Sequence, residues 1–256
     1  TISIMRASLK QIDLIYFTLF PWDHPYSSVS LSFTRAFAKN NRVFYVNPPF
    51  SAKEMLQQIH TPEVRTRFAD QILRKVRYEE IPNLPSNVIA VHPPAILPIN
   101  FLSKGTLYDK LHQWNNQVVF RTIEHIVKKY KLENYIYLNC FNPFVGGVLP
   151  KQFQPRLNVY QCIDDMKQEE YTAKHWAGLE EKVMSKADLV FVTSKQLRKL
   201  ALPFNPNTHI LHNAVDENIF SKSIEFDYPR PEELEKVRTP IIGFTGNMDG
   251  SRIDYP

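Results

Sequence analysis

The chain has 256 residues, 43% of them hydrophobic and 22% charged, with a formal net charge of +5. Such a composition supports one large or two small globular domains with a sizeable core, and it excludes a disordered, collagen-like or disulfide-framework protein. Lys and Arg are not concentrated in any segment, so a nucleic-acid-binding arm is excluded too, while an anionic membrane face or a phosphorylated substrate remains compatible with the charge.

The first element is the apolar run Ile12-Asp13-Leu14-Ile15-Tyr16-Phe17-Thr18, which is of strand length and stops before Pro21. Leu31, Phe33, Ala36 and Phe37 then recur at helical spacing behind a capping Ser28 or Ser30. A second strand, Arg42 to Val46, closes at Pro48-Pro49. Strand, helix and strand within so short a stretch form a βαβ unit, which forces parallel strands.

Ser51 to Glu80 is polar and reads as helical. Val88 to Val91 is a short strand closed by Pro93-Pro94. Leu107 to Tyr130 is a long amphipathic helix with Leu111, Trp114, Val118, Val119, Ile123, Ile126, Val127 and Tyr130 on one face. Strands follow at Tyr135 to Leu138, Leu157 to Cys162, Leu189 to Val192 and Thr208 to Leu211, with helices predicted over Trp176 to Lys186 and Ser194 to Leu200. The alternation predicts an α/β fold with a Rossmann-like, doubly wound parallel sheet over residues 1–220.

Residues 221–239 are charged, hold Pro229 and Pro231, and read as a linker with a short helix pattern over Glu232 to Val237. Residues 240–256 read as the opening of another domain, with a strand at Ile241 to Thr245 that needs a partner to be stable. Cys140 and Cys162 lie near the ends of apolar runs with no CxxC, which predicts buried free thiols in a reducing compartment, without zinc or any other metal. No apolar run reaches the roughly 18 residues of a membrane span, and no signal peptide is recognisable at Thr1 to Lys10. A cytoplasmic protein is expected, its basic surface able to rest on the inner membrane face.

Ligands of an open parallel sheet bind beyond the carboxyl ends of its strands. The loop after the first strand, Pro21-Trp22-Asp23-His24-Pro25-Tyr26-Ser27-Ser28, combines aromatic rings for stacking on sugars with polar groups for hydroxyls. Trp22, Tyr26 and Ser27 are candidate acceptor contacts, Asp23 a candidate base, and His24 a candidate proton relay. The alternative is that Asp23 caps a turn and Trp22 fills the core. Asn142 of Asn139-Cys140-Phe141-Asn142-Pro143 is a further acceptor candidate or a turn former. Asp164 and Asp165 could polarise a hydroxyl, or one could cap a helix. His60, His112 and His125 read as surface residues. GxGxxG, P-loop, HExxH and GxSxG patterns are all absent, which weighs against a dinucleotide enzyme and the other common catalytic scaffolds.

The ordered series Val159-Tyr160-Gln161-Cys162-Ile163-Asp164-Asp165, Glu180 or Glu181 on a helix, Ala187-Asp188, Ser194, Asn213-Ala214-Val215-Asp216 with Phe220, and Ile242-Gly243-Phe244-Thr245-Gly246-Asn247 resembles the GT4-like group of GT-B glycosyltransferases. The first loop and Val43-Phe44-Tyr45-Val46-Asn47-Pro48-Pro49 resemble its teichuronic-acid or polysaccharide branch. This chain has Asn213-Ala214 where the family has Asn-Gly, and an aromatic first loop where many members have glycines. The resemblance implies transfer of a sugar from a UDP- or GDP-sugar to a hydroxyl of a glycan or lipid-linked acceptor, with retention. It implies no covalently bound cofactor. It makes this chain the acceptor side of the enzyme, with Gly246 and Asn247 near the donor diphosphate and the rest of the donor domain beyond Pro256. A non-catalytic glycan- or partner-binding module and a GT-B-fold sugar-nucleotide epimerase are the competing readings.

Overall fold

The computed structural model describes residues 12–24, 28–166, 170–214 and 217–244. The chain divides after Asn213 into two units. In the first, apolar runs form β1 (Asp13–Thr18), β2 (Val43–Val46), β4 (Val88–His92), β5 (Tyr135–Cys140), β6 (Leu157–Cys162), β7 (Leu189–Val192) and β8 (Thr208–Ile210). These pair in parallel, and β3 (Arg77–Glu80) adds an antiparallel edge, giving the order β3-β4-β2-β1-β5-β6-β7-β8. From β1 the chain first winds outward through β2 to β4, then returns beside β1 as β5 and winds the other way. The reversal between β1 and β5 is the topological switch point of a doubly wound sheet.

Both faces of the central strands β1, β2 and β5 are buried, as a parallel sheet requires. On one face Leu14, Tyr16, Val43, Tyr45, Val88 and Leu138 pack with residues of α1 (Val29–Ala38), α5 (Glu170–Lys186) and α6 (Lys195–Ala201). On the other, Ile15, Phe17, Phe44, Val46, Val91 and Tyr137 pack against Val119, Ile123 and Ile126 of α4 (Thr106–Tyr130). Ser28 and Ser194 cap α1 and α6 by accepting from the amides of Leu31 and Leu197.

The stretch expected to be wholly helical holds two helices, α2 (Ala52–Gln57) and α3 (Pro62–Ile72), and ends in strand β3. Ser51 opens α2 with a capping box in which Glu54 accepts from the Ser51 amide. The buried face of α4 also differs from expectation. Tyr108, Asn115, Phe120 and Thr122 are buried, and Trp114 sits instead beneath the guanidinium of Arg74. His112, expected at the surface, is half-buried, whereas His60 and His125 are exposed.

The second unit holds two short helices, α7 (Glu217–Phe220) and α8 (Lys222–Glu225), and a 3-10 turn at Glu232–Leu234. Of the strand expected at Ile241 to Thr245, Ile241 to Phe244 carry no strand pairing and are exposed, and Thr245 lies outside the described residues. No helix among the described residues is long and apolar enough to cross a membrane.

Candidate functional site

A cleft of about 810 Å³ opens at the carboxyl ends of β1, β2, β4 and β5. Its size lies within the range of small-molecule sites, and it stands beside the switch point where such a sheet binds ligands. The turn after β1 contributes Leu19 and Pro21, the turn after β2 Pro48, Pro49 and Phe50, the loop after β4 Ile96 to Phe101, and the turn after β5 Asn142, Phe144 and Val145. Helices α2, α4 and α5 add Lys53 and Gln57, Tyr108 and His112, and Lys174.

The switch point itself is stitched shut. Leu19 N donates to Cys140 O at 3.2 Å, and Asn142 Nδ2 donates to Thr18 O at 3.3 Å. Asn142 and Asn139 brace each other's turn: Asn142 N donates to Asn139 Oδ1, and Asn139 Nδ2 donates to Asn142 O. Asn142 therefore stands in the cleft wall with its side chain already engaged in holding the wall.

Trp22, Asp23 and His24 follow Pro21, which lines the cleft, and are not among the lining residues themselves. The Trp22 amide donates to Asn47 Oδ1, and the Trp22 indole Nε1 donates to Glu79 Oε1 at 3.0 Å. Asp23 Oδ2 lies 2.8 Å from Arg67 Nη2, and the same nitrogen donates to Glu79 Oε1 at 2.8 Å. The Asp23 contact is an ion pair without a well-directed hydrogen bond. Arg67 is only 4% exposed, so this cation is confined with two carboxylates. His92 Nε2 reaches Glu79 Oε1 at 2.6 Å. Burial alone would raise the Glu79 pKa, but the His92 hydrogen bond and the charges of His92 and Arg67 bring it down to about 2. Burial, followed by the nearby Arg67 charge, outweighs the Glu79 hydrogen bond and holds His92 below the ordinary histidine value. At neutral pH the group is an ionised Glu79 accepting from a neutral His92, from Arg67 and from Trp22. Asp23, the candidate base, is thus tethered to a buried guanidinium rather than presented alone. His24 stacks edge-on against Phe20 with its amide bonded to Pro21 O.

Asp164 and Asp165 follow β6 and border a separate small recess with Cys162, Glu180 and Leu197. Asp164 Oδ1 accepts from the Asp165 amide, a local turn contact. Glu180 is buried in the core beneath them, taking hydrogen bonds from Tyr160 Oη and Trp176 Nε1. Tyr26, Ser27, Gly246 and Asn247 lie outside the described residues.

His112 is the cleft residue that sequence reasoning did not select. Its Nε2 donates to Phe144 O, which fixes the tautomer and leaves Nδ1 as the accepting nitrogen, with Asn116 Nδ2 3.4 Å away. Burial lowers its pKa despite that hydrogen bond, so the ring is neutral at physiological pH. It stacks on Tyr108, whose ring centroid is also 4.2 Å from that of His175 in a second stacked pair. The i, i+4 relation of Tyr108 and His112 is the sequence signal that places both on one helix face.

These features define a Rossmann-like α/β unit with an open cleft beside its switch point, the architecture of one half of a GT-B fold. No protein-family model matches the chain, and no curated protein matches it in sequence. Among solved structures the chain is similar to the E. coli trehalose-6-phosphate protein bound with UDP-2-fluoro glucose, with a TM-score of 0.52 and 7% identity. The match covers 84% of this chain and 52% of that one, so the chain spans about half the length of the protein it matches. At this identity the likeness is one of fold.

Proposed function

We propose that the chain is the acceptor-binding side of a glycosyltransferase of the GT4-like group, moving a sugar from a UDP- or GDP-sugar to a hydroxyl of a glycan or lipid-linked acceptor with retention. The observation that carries this reading is the preformed cleft beside the switch point of a fold shared with a UDP-sugar-bound protein. In this reading the acceptor occupies the cleft. Its hydroxyl faces the anomeric carbon of a donor held by a second domain that residues 240–256 begin, with Gly246 and Asn247 at the diphosphate. Stabilising the leaving diphosphate supplies the larger share of catalysis and belongs to that domain.

The acceptor side contributes orientation and a place for the hydroxyl proton. His24 is the relay in the first loop, and Asp23 fixes that loop through Arg67. His112, neutral and of fixed tautomer, is a second proton acceptor on the cleft wall. Trp22, Tyr26, Ser27 and Asn142 remain acceptor contacts of the proposal, while Asp164 and Asp165, on a separate recess, would contact only an acceptor long enough to reach it. The setting is the cytoplasm, with peripheral attachment to anionic membrane.

The test compares this 256-residue chain with the gene product extended through any downstream domain. Calorimetry against UDP- and GDP-sugars should show donor binding by the extended protein and none by the chain alone, and nucleotide release should require the extended form. Tight donor binding by the 256-residue chain would contradict the assignment of sides, and an extended protein that releases no nucleotide from any donor would end the transferase reading.

A further inference from the structure

We infer that His112, Tyr108 and His175 form a proton-operated strut between two loops that line the cleft, holding both loops while the imidazoles are neutral and releasing them when the imidazoles take protons. The strut stands on contacts within the chain, and only its bearing on acceptor binding rests on the reading proposed above.

Each imidazole grips one loop. His112 Nε2, from α4, donates to Phe144 O in the turn after β5. His175 Nε2, from α5, donates to Leu102 O at 3.1 Å in the loop after β4. A carbonyl only accepts, so each neutral ring carries its proton on Nε2. Tyr108 pairs in parallel with both rings, its centroid 5.6 Å from that of His112 and 4.2 Å from that of His175. Asn100 and Phe101 of one loop and Phe144 and Val145 of the other line the cleft, so a change in either grip alters the lining.

Neither ring has a ready acceptor for a second proton. His112 Nδ1 lies 3.4 Å from Asn116 Nδ2, which is a donor. The Asn116 amide is fixed in that orientation, because its Oδ1 accepts from Gly146 N at 2.8 Å and its Nδ2 donates to His112 O at 2.9 Å. A proton on His112 Nδ1 therefore sets donor against donor. Relief comes by parting Asn116 from Gly146, in the same turn that His112 holds. Burial, with the charges of Lys182 and His175, outweighs the Phe144 carbonyl and Asp109 and lowers the His112 pKa.

His175 is 4% exposed, and its Nδ1 has no hydrogen-bond partner among the described residues. Burial, with the charges of Lys174 and Lys104, outweighs the Leu102 and Asn100 carbonyls and lowers its pKa too. A charged His175 is a third cation beside these lysines. Lys174 Nζ holds Phe101 O at 2.9 Å, and repulsion from the ring works against that hold. The sign follows. A histidine with a lowered folded pKa favours the released loop, where it titrates ordinarily, from about pH 6.5 downward.

The experiment follows the 256-residue protein by NMR from pH 8 to pH 5. It reads the histidine ring nitrogens and the exchange protection of the Leu102 and Gly146 amides, which donate to Ile99 O and to Asn116 Oδ1. Both rings should be Nε2–H tautomers at pH 8 and titrate below about 6.5. Protection of Leu102 and Gly146 should fall at least about tenfold between pH 7 and pH 5, and by more than that of the β1 amides, which report global unfolding. Glutamine can still donate to a carbonyl but takes no proton in this range. His175→Gln should therefore abolish the pH dependence at Leu102 and keep that at Gly146, and His112→Gln should do the reverse. Titration of either ring at or above its ordinary value, loop protection unchanged down to pH 5, loss of protection only in step with β1, or glutamine variants that keep the pH dependence would each overturn the inference. The titration of the parent protein decides the matter even where a variant fails to fold. No nucleotide or acceptor enters these measurements. Failure of the strut thus leaves the donor-binding test standing, and an extended protein that releases no nucleotide leaves the strut standing.

Discussion

Arg67→Met tests the electrostatic reading of the loop after β1. The change keeps most of the aliphatic stem and removes a cation that is 4% exposed and 2.8 Å from both Asp23 and Glu79. Removing one partner of a buried ion pair costs about 3–5 kcal/mol, because the other charge stays behind. Here the lower end applies. Glu79 keeps its hydrogen bonds from His92 and Trp22, and Asp23 retains some contact with solvent. A loss of about 3 kcal/mol corresponds to a fall in melting temperature of roughly 6–12 °C for a unit of this size.

The charge origin of the loss has two signatures. First, adding Glu79→Gln to Arg67→Met should restore part of the stability, since the stranded charge is then removed, whereas a packing defect would add its own cost. Second, the Arg67 charge helps to hold the His92 pKa down. Without it His92 gains a proton more readily beside two carboxylates. A histidine whose folded pKa is raised stabilises fully below its unfolded value of about 6.5 and loses that contribution as pH rises through the folded value. The variant should therefore lose less stability at pH 6 than at pH 8. Thermal and urea unfolding followed by far-ultraviolet circular dichroism at both pH values measures all three. A melting temperature within 2 °C of the parent protein at pH 8, or a loss independent of pH, would refute the reasoning.

The parent protein should itself weaken in mild acid. Burial lowers the pKa of His92, His112 and His175, so below about 6.5 the unfolded chain binds more protons and stability falls with pH; melting temperatures from pH 8 to pH 5 check this, and a rise on acidification contradicts it. A second loss should begin near the ordinary carboxylate range and continue toward pH 2, where Glu79 at last takes a proton in the folded state. Gly146→Ala should cost about 2–3 kcal/mol by urea unfolding, because the residue has φ +69° and an added Cβ would lie 2.9 Å from both Phe17 Cε1 and Val119 Cγ1; a neutral result would mean that the turn after β5 yields easily. Burial raises the pKa of the Cys140 and Cys162 thiols, so neither should react with a thiol reagent at pH 8 until urea is added, and prompt labelling of the native protein would show that the core opens.

The central parallel strands were legible because they are buried on both faces and so appear as apolar runs. Ile15 to Phe17 and Val43 to Val46 are all fully buried. Strand β3 was not legible for the opposite reason. Arg-Tyr-Glu-Glu lies at the sheet edge, where charge is tolerated, and nothing in its own pattern distinguishes it from the polar helix before it. The loop of Trp22 and Asp23 was legible as a cluster of chemistry-bearing residues, but its partner was not. Arg67 lies 44 positions away on a polar helix, and an ion pair between them follows from the fold alone. On α4, the apolar period suggested Trp114 as a core residue, yet Asn115 occupies the buried position because its amide completes the backbone of Leu97. His112 shares that face for the same geometric reason, and a histidine looks identical in sequence whether it faces water or a cleft.

The same network of backbone contacts explains why specificity in this cleft belongs to its walls rather than its floor. At the switch point, Leu19 and Asn142 close the gap between the turns after β1 and β5, so a ligand meets a sealed surface there. Beyond it, the chains leaving β2 and β4 continue side by side. Ile96 N donates to Phe50 O and Ala52 N donates to Ile96 O, each at 2.9 Å, which extends the pairing of the two strands past their ends. Pro48, Pro49, Pro93, Pro94 and Pro98 restrict φ along both segments. Walls held in this way keep their apolar character and spacing before any ligand arrives, and the ordering cost of binding is correspondingly small.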